Sequence, residues 1–202
     1  MLRTFTRCAL AVGAVCLLTA VASAQAPYSD VLKVNYFSDA HSVNGTPEGK
    51  VRILNPGLFE AGTGLFPRPG NLCALIYVFD QTQQLLECCG CALTPNAVLE
   101  LDVDNDLTDN SLTGGNIFNG GIKIVSHPVP ASGSCNATSI SNPQPTLRAW
   151  ITHPQAVNDS LTEAEFSDSR LSESEVRRLQ SRCRFIVQNA SGHGLCTCGN
   201  GG

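Results

Sequence analysis

Eight cysteines carry most of the chemistry this sequence could do: Cys73, Cys88, Cys89, Cys91, Cys135, Cys183, Cys196 and Cys198. They crowd most densely in Cys88-Cys89-Gly90-Cys91 and in Cys196-Thr197-Cys198. Thiolates at Cys88, Cys91, Cys196 and Cys198 could wrap zinc tetrahedrally or hold copper(I), a soft ion. In an oxidising compartment the same sulfurs pair as disulfides instead. A redox C-x-x-C opens a helix whose dipole lowers the thiol pKa, whereas this one follows a strand-like run and precedes Thr94-Pro95. Up to four disulfides are therefore expected, with a thiolate metal site as the alternative and no cofactor. Adjacent cysteines in a strand point to opposite faces, so Cys88 and Cys89 should take different partners.

The other candidate sites are weaker. Asp102 to Asn110 places aspartates at 102, 104, 106 and 109, resembling the start of a calcium loop in which every second residue supplies an oxygen. The sixth position is Leu107 where such a loop needs glycine, and the twelfth is Thr113 where it needs a bidentate Glu. A plain turn is expected, with calcium as the alternative. His41, His127, His153 and His193 are scattered, and His127 and His153 precede Pro128 and Pro154, which reads as exposed turns. No Gly-x-Ser-x-Gly elbow, H-E-x-x-H or phosphate-binding glycine loop occurs. Glu163 and Glu165 read as the acidic lead-in to a helix. Four N-x-S/T triplets, at Asn44, Asn136, Asn158 and Asn189, mark exposed segments. Trp150 and three tyrosines are too dispersed for a carbohydrate platform, and Trp150 reads as half-buried core.

The compartment follows from the first 24 residues. Arg3 and Arg7 form a charged end, residues 9–21 an apolar run, and Ala22-Ser23-Ala24 an A-x-A cleavage site. The run is short of the roughly 20 apolar residues that span a bilayer. A mature chain starting near Gln25, exported to the periplasm, cell surface or medium and not integral to the membrane, is expected. Taking 24 residues from 202 leaves 178, enough for a single domain over 25–202 with its own core. The leader carries two arginines and no acid, so its loss moves the net charge from −4 to −6. An acidic chain disfavours nucleic acid and anionic lipid as partners.

The elements that must position the cysteines are mostly strands. Residues 31–37 alternate, with Leu32, Val34 and Tyr36 on one side; 50–54 follow after a polar turn, then a Gly- and Pro-rich loop over 57–70. Residues 72–79 are apolar on both faces, which marks a central, fully covered strand. Residues 84–89 can return as a hairpin that brings Cys73 level with Cys88 or Cys89, making a bridge between Cys73 and one of them the preferred pairing. Residues 97–103, 121–126 and 147–152 give further short strands, and 128–145 a Pro/Ser/Asn-rich exposed loop tied down through Cys135. Ser172-Glu173-Ser174-Glu175 is a capping box opening a helix over 173–188. Val176, Leu179, Cys183, Ile186 and Val187 share one face of it, and Arg177, Arg178, Gln180 and Arg184 the solvated other. The tail from Asn189 would be loose unless Cys196 and Cys198 anchor it. Six or seven strands with one late helix predict a mainly β protein, a disulfide-stabilised two-sheet β-sandwich with one C-terminal helix.

Residues 71–79, Glu87-Cys88-Cys89-Gly90-Cys91 with Leu93-Thr94-Pro95-Asn96, Asn105-Asp106-Leu107-Thr108, residues 166–178 and Gly194-Leu195-Cys196-Thr197-Cys198 form a set. With them the chain resembles a group of short exported, cysteine-containing proteins of soil bacteria of the acidobacterial type. The resemblance spans most of the mature chain, implies a bacterial exported protein, and brings no catalytic residues with it. The expected function is a non-enzymatic structural or adhesive protein acting through its surface on an envelope or extracellular protein or glycan. Metal binding, and a small exported hydrolase whose site is assembled from dispersed residues, are the alternatives.

Overall fold

The computed structural model describes residues 28–38, 49–61, 68–155 and 160–199. The leader, His41, Asn44 and Asn158 lie outside them. The elements run β1 (Tyr28–Phe37), β2 (Lys50–Leu54), β3 (Glu60–Ala61), β4 (Arg68–Pro69), β5 (Leu72–Asp80), β6 (Leu85–Leu93), β7 (Val98–Asp102), β8 (Gly120–Pro128), β9 (Arg148–Pro154), β10 (Leu161–Glu165), β11 (Ser167–Leu171) and α1 (Glu173–Asn189). A five-stranded sheet in the order β11-β1-β8-β5-β6 faces a four-stranded sheet in the order β10-β9-β2-β7, and β3 pairs with β4. All pairings within the two large sheets are antiparallel. The protein is a two-sheet β-sandwich with one C-terminal helix.

Strand β5 explains the layering. Its residues 72–79 are all buried, so its alternating side chains feed two cores. Ala74, Ile76 and Val78 enter the space between the sheets, where they meet Val51, Ile53, Leu99, Leu101 and Ile151. Cys73, Leu75, Tyr77 and Phe79 enter a second core on the other side, closed by Leu179, Cys183 and Ile186 of α1 and by Ala137 and Ile140 of the 129–147 loop. Burying a large aliphatic side chain contributes about 1.5–3 kcal/mol, so a strand used on both faces is the strongest organiser of the fold. The loop is drawn in by the Tyr77 hydroxyl, which donates to the Ala137 carbonyl at 2.7 Å. It crosses β6 so closely that a Cβ on Gly90 would sit 2.7 Å from the Cys135 carbonyl carbon and oxygen.

Helix α1 starts at Ser172, whose Oγ accepts from the Glu175 amide at 3.2 Å. The reciprocal half of the expected capping box is replaced, because the Glu175 carboxylate is taken by Lys123 and Arg178. Leu179, Cys183 and Ile186 are buried as the helical spacing predicts, whereas Val187 is exposed.

Four short strands escape the sequence pattern: β3 and β4 pair within the stretch 57–70 that reads as a loop, and two more lie before the helix. The stretch that reads as an acidic lead-in to the helix is β10 and β11, joined at the buried Phe166 where the chain steps from an edge of one sheet to an edge of the other. Edge strands with polar, charged residues protect a sheet against further pairing. The opposite side of the sandwich, between β6 and β7, is closed by the tail. There Cys88 N–H donates to the Gly194 carbonyl at 2.9 Å and Thr197 N–H to the Asp106 carbonyl at 3.0 Å.

Candidate functional site

All eight cysteines among the described residues are paired. Cys73 bonds Cys135, Cys88 bonds Cys183, Cys89 bonds Cys196 and Cys91 bonds Cys198, with Cα separations of 5.4, 5.9, 5.2 and 5.6 Å. These lie within the 4.4–6.8 Å a disulfide spans. Cys88 points into the helix-side core and staples α1, while Cys89, its neighbour, points to the other face and holds the tail. The preferred bridge from Cys73 to Cys88 or Cys89 is wrong. Strand β6 runs to Leu93, so the hairpin register sets Cys73 opposite Ala92, and Cys88 and Cys89 opposite Tyr77 and Ile76. Cys73 therefore reaches the loop that crosses over it. With these sulfurs in disulfides, the four proposed thiolate ligands Cys88, Cys91, Cys196 and Cys198 are not thiolates.

The Asp102 to Asn110 segment is a latch for the tail. Asp106 accepts from the Asp102 amide through Oδ2 and from the Thr197 hydroxyl through Oδ1, both at 2.8 Å. Asn110 Nδ2 donates to the Gly192 carbonyl at 2.9 Å. Leu107, the residue in the position a calcium loop reserves for glycine, is fully buried in the inter-sheet core. Among the described residues no group of three or more His, Cys, Asp or Glu is arranged to hold a metal ion.

The histidine expectation is corrected at two positions. His127 and His153 lie in β8 and β9 and are buried. Burial pushes both imidazoles below their ordinary pKa, and in His127 neither ring nitrogen has a hydrogen-bond partner. His153 stacks on Tyr36 with ring centroids 4.4 Å apart. His193 is exposed in a turn. The prolines that suggested turns end these strands instead, where a missing N–H does no harm. Trp150 is half-buried on the outer face of β9, and Glu163 and Glu165 flank it on β10, pairing with Arg52 and Arg148.

Glu87 is a further buried group that patterning alone misses. It is fully buried opposite Val78, and among the described residues no side chain pairs with its carboxylate. Burial pushes its pKa up to about 8; the Asn110 backbone amide opposes the rise and the Asp109 charge adds to it.

Among the described residues a cleft of about 520 Å³ lies where α1 overhangs the outer face of the five-stranded sheet. Val34 and Phe79 contribute its apolar part, and Lys123, Arg178 and Arg182 bring three cations to it. Its lip is the turn after β5, where Asp80 Oδ1 accepts from the Thr82 amide, the Thr82 hydroxyl and the Gln84 amide at 2.8, 2.8 and 2.9 Å. Arg182 donates to the Gln83 carbonyl at 3.0 Å, tying α1 to this lip. Lys123 donates to Glu175 at 2.6 Å and lies 5.1 Å from the centre of the Phe79 ring. Arg178 also pairs with Glu175. Burial alone would raise the Glu175 pKa, but these two cations outweigh it and hold the carboxyl below its ordinary value. Gly120 lets the sheet close under the cleft, since a Cβ there would sit 2.0 Å from the Phe79 carbonyl oxygen. None of the residues lining this cleft is a histidine. Arg178 reads from the sequence as part of a solvated face; the signal that points to the cleft is the i,i+4 spacing of Arg178 and Arg182 on an otherwise acidic chain.

No family model matches this chain, and no curated protein matches it. Among solved structures, the crystal structure of Thermotoga maritima 1070 is similar at 12% identity over 69% of this chain and 97% of that one, with a TM-score of 0.39. A likeness at that level carries no argument about function.

Among the described residues no helix is long and apolar enough to cross a membrane. Four disulfides mark an oxidising environment for the folded chain.

Proposed function

We propose that this is an exported bacterial protein of the envelope or the extracellular space, non-enzymatic, which acts by surface interaction as a structural or adhesive component. The observation that carries the reading is how the sulfur is used. The four disulfides spend all eight cysteines described on fixing the loop, the helix and the tail to one sandwich, which makes a rigid body. A body so fixed holds the cleft beside α1 preformed, and preformed sites bind at a lower ordering cost. The leader-like first 24 residues supply the route out of the cytoplasm, and the oxidising environment agrees with it.

The test is expression of the full chain with its own leader in a bacterial host, followed by fractionation. The expected result is a mature N-terminus near Gln25, protein outside the cytoplasm, and cosedimentation of the purified oxidised protein with isolated envelope material. An uncleaved, cytoplasmic protein, or a mature protein that stays wholly in the supernatant, would overturn the reading.

A further inference from the structure

We infer that the cleft beside α1 binds a carboxylate carried on a small molecule; this rests on the surface-interaction reading and names the ligand chemistry of its binding place. The cleft is rich in cationic donors. Arg178 and Arg182 each carry five N–H donors and Lys123 three. Arg182 spends one on the Gln83 carbonyl, while Lys123 and Arg178 share a single carboxylate, that of Glu175. The acid on the lip, Asp80, has its Oδ1 filled by three donors of its own turn. Three cations thus stand against two carboxylates, an excess of one positive charge on a chain whose overall charge is negative.

The geometry favours a carboxylate over a diffuse anion. Arg178 and Arg182 are one helical turn apart, so both planar guanidinium groups lie on the same strip of α1, and the guanidinium fork matches a carboxylate in two parallel hydrogen bonds. Glu175 holds Lys123 and Arg178 in place, so the donors are positioned before the ligand arrives. The apolar part made by Val34 and Phe79 gives the uncharged body of the ligand a surface to cover. A volume of about 520 Å³ lies inside the range of roughly 300–1,000 Å³ typical of small-molecule sites.

Such a carboxylate could come from an acidic sugar residue or from a free organic acid. Calorimetric titration of the oxidised mature protein with galacturonic acid and with benzoate distinguishes the two, and galactose and benzamide are their neutral counterparts. The expected result is binding of at least one acid and not of its neutral counterpart, weakening as salt is raised. Arg182→Gln should weaken that binding about tenfold or more, with partial recovery in Arg182→Lys. Arg182 is exposed, and an unchanged unfolding midpoint confirms that the variant is folded. Equal binding of acid and neutral counterpart, unchanged affinity in Arg182→Gln, or no binding of either acid would overturn the inference. Cosedimentation with envelope material that persists in Arg182→Gln while neither acid binds would leave the surface-interaction reading standing and remove this one alone.

Discussion

Replacing Glu87 by Gln should stabilise the protein, and by an amount that grows with pH. The unfolded chain releases the Glu87 proton near the ordinary value of 4.5, whereas the folded chain keeps it until about 8. Below about pH 4.5 both states are protonated and the group contributes nothing. Between 4.5 and 8 the unfolded state alone is ionised, so the folded state loses about 1.36 kcal/mol of stability per pH unit. At pH 7 the interval from 4.5 amounts to about 2.5 units, which gives a penalty of about 3 kcal/mol. Glutamine occupies the same volume without the ionisation, so the penalty disappears. The assay is urea unfolding of both proteins, with disulfides intact, at several pH values from 4 to 8. The expected result is near-identical stability at pH 4 and a gap of about 3 kcal/mol in favour of the variant at pH 7. A gap that does not change with pH, or a variant less stable at pH 7, would refute the reasoning that burial keeps this carboxyl protonated.

Three further perturbations probe the framework. Replacing Cys88 and Cys183 together by serine should cost about 2–4 kcal/mol in non-reducing urea unfolding, since it opens the link that holds α1 on the sheet. Gly90→Ala should cost about 1–3 kcal/mol, seen as a lowered thermal midpoint, because the added Cβ meets the Cys135 backbone at 2.7 Å. Ser172→Ala should cost about 1 kcal/mol in the same assay by removing the acceptor for the Glu175 amide.

What the sequence reveals about the fold depends on how strongly burial constrains each segment. Residues 72–79 are apolar on both faces and can only be a covered strand, and β2 emerges with the bounds its pattern predicts. The helix is legible because Ser172 and the spacing of Leu179, Cys183 and Ile186 give two independent signals. β10 and β11 are illegible because edge strands bury little, and Glu163, Glu165 and Asp168 are chosen by solvent and by ion pairs to Arg52, Arg148 and Lys33. Cysteine pairing is set by register: extending β6 to Leu93 moves Cys73 away from Cys88 and Cys89, a shift that composition does not encode. The cleft is assembled from β1, β5, β8 and α1, so no contiguous stretch announces it. His127 and His153 show the opposite failure, where a neighbouring proline suggests a turn but ends a strand.

The most direct test of the central claim, a sandwich whose loop, helix and tail are held by specific disulfides, is a map of the cysteine pairs in the protein purified from an oxidising compartment. Stepwise partial reduction and alkylation followed by tandem mass spectrometry separates Cys88 from Cys89, which no protease can do. The expected pairs are Cys73 with Cys135, Cys88 with Cys183, Cys89 with Cys196 and Cys91 with Cys198, with no free thiol. A bridge from Cys73 to Cys88 or Cys89, or free thiols at Cys88, Cys91, Cys196 and Cys198 with zinc or copper retained, would contradict it.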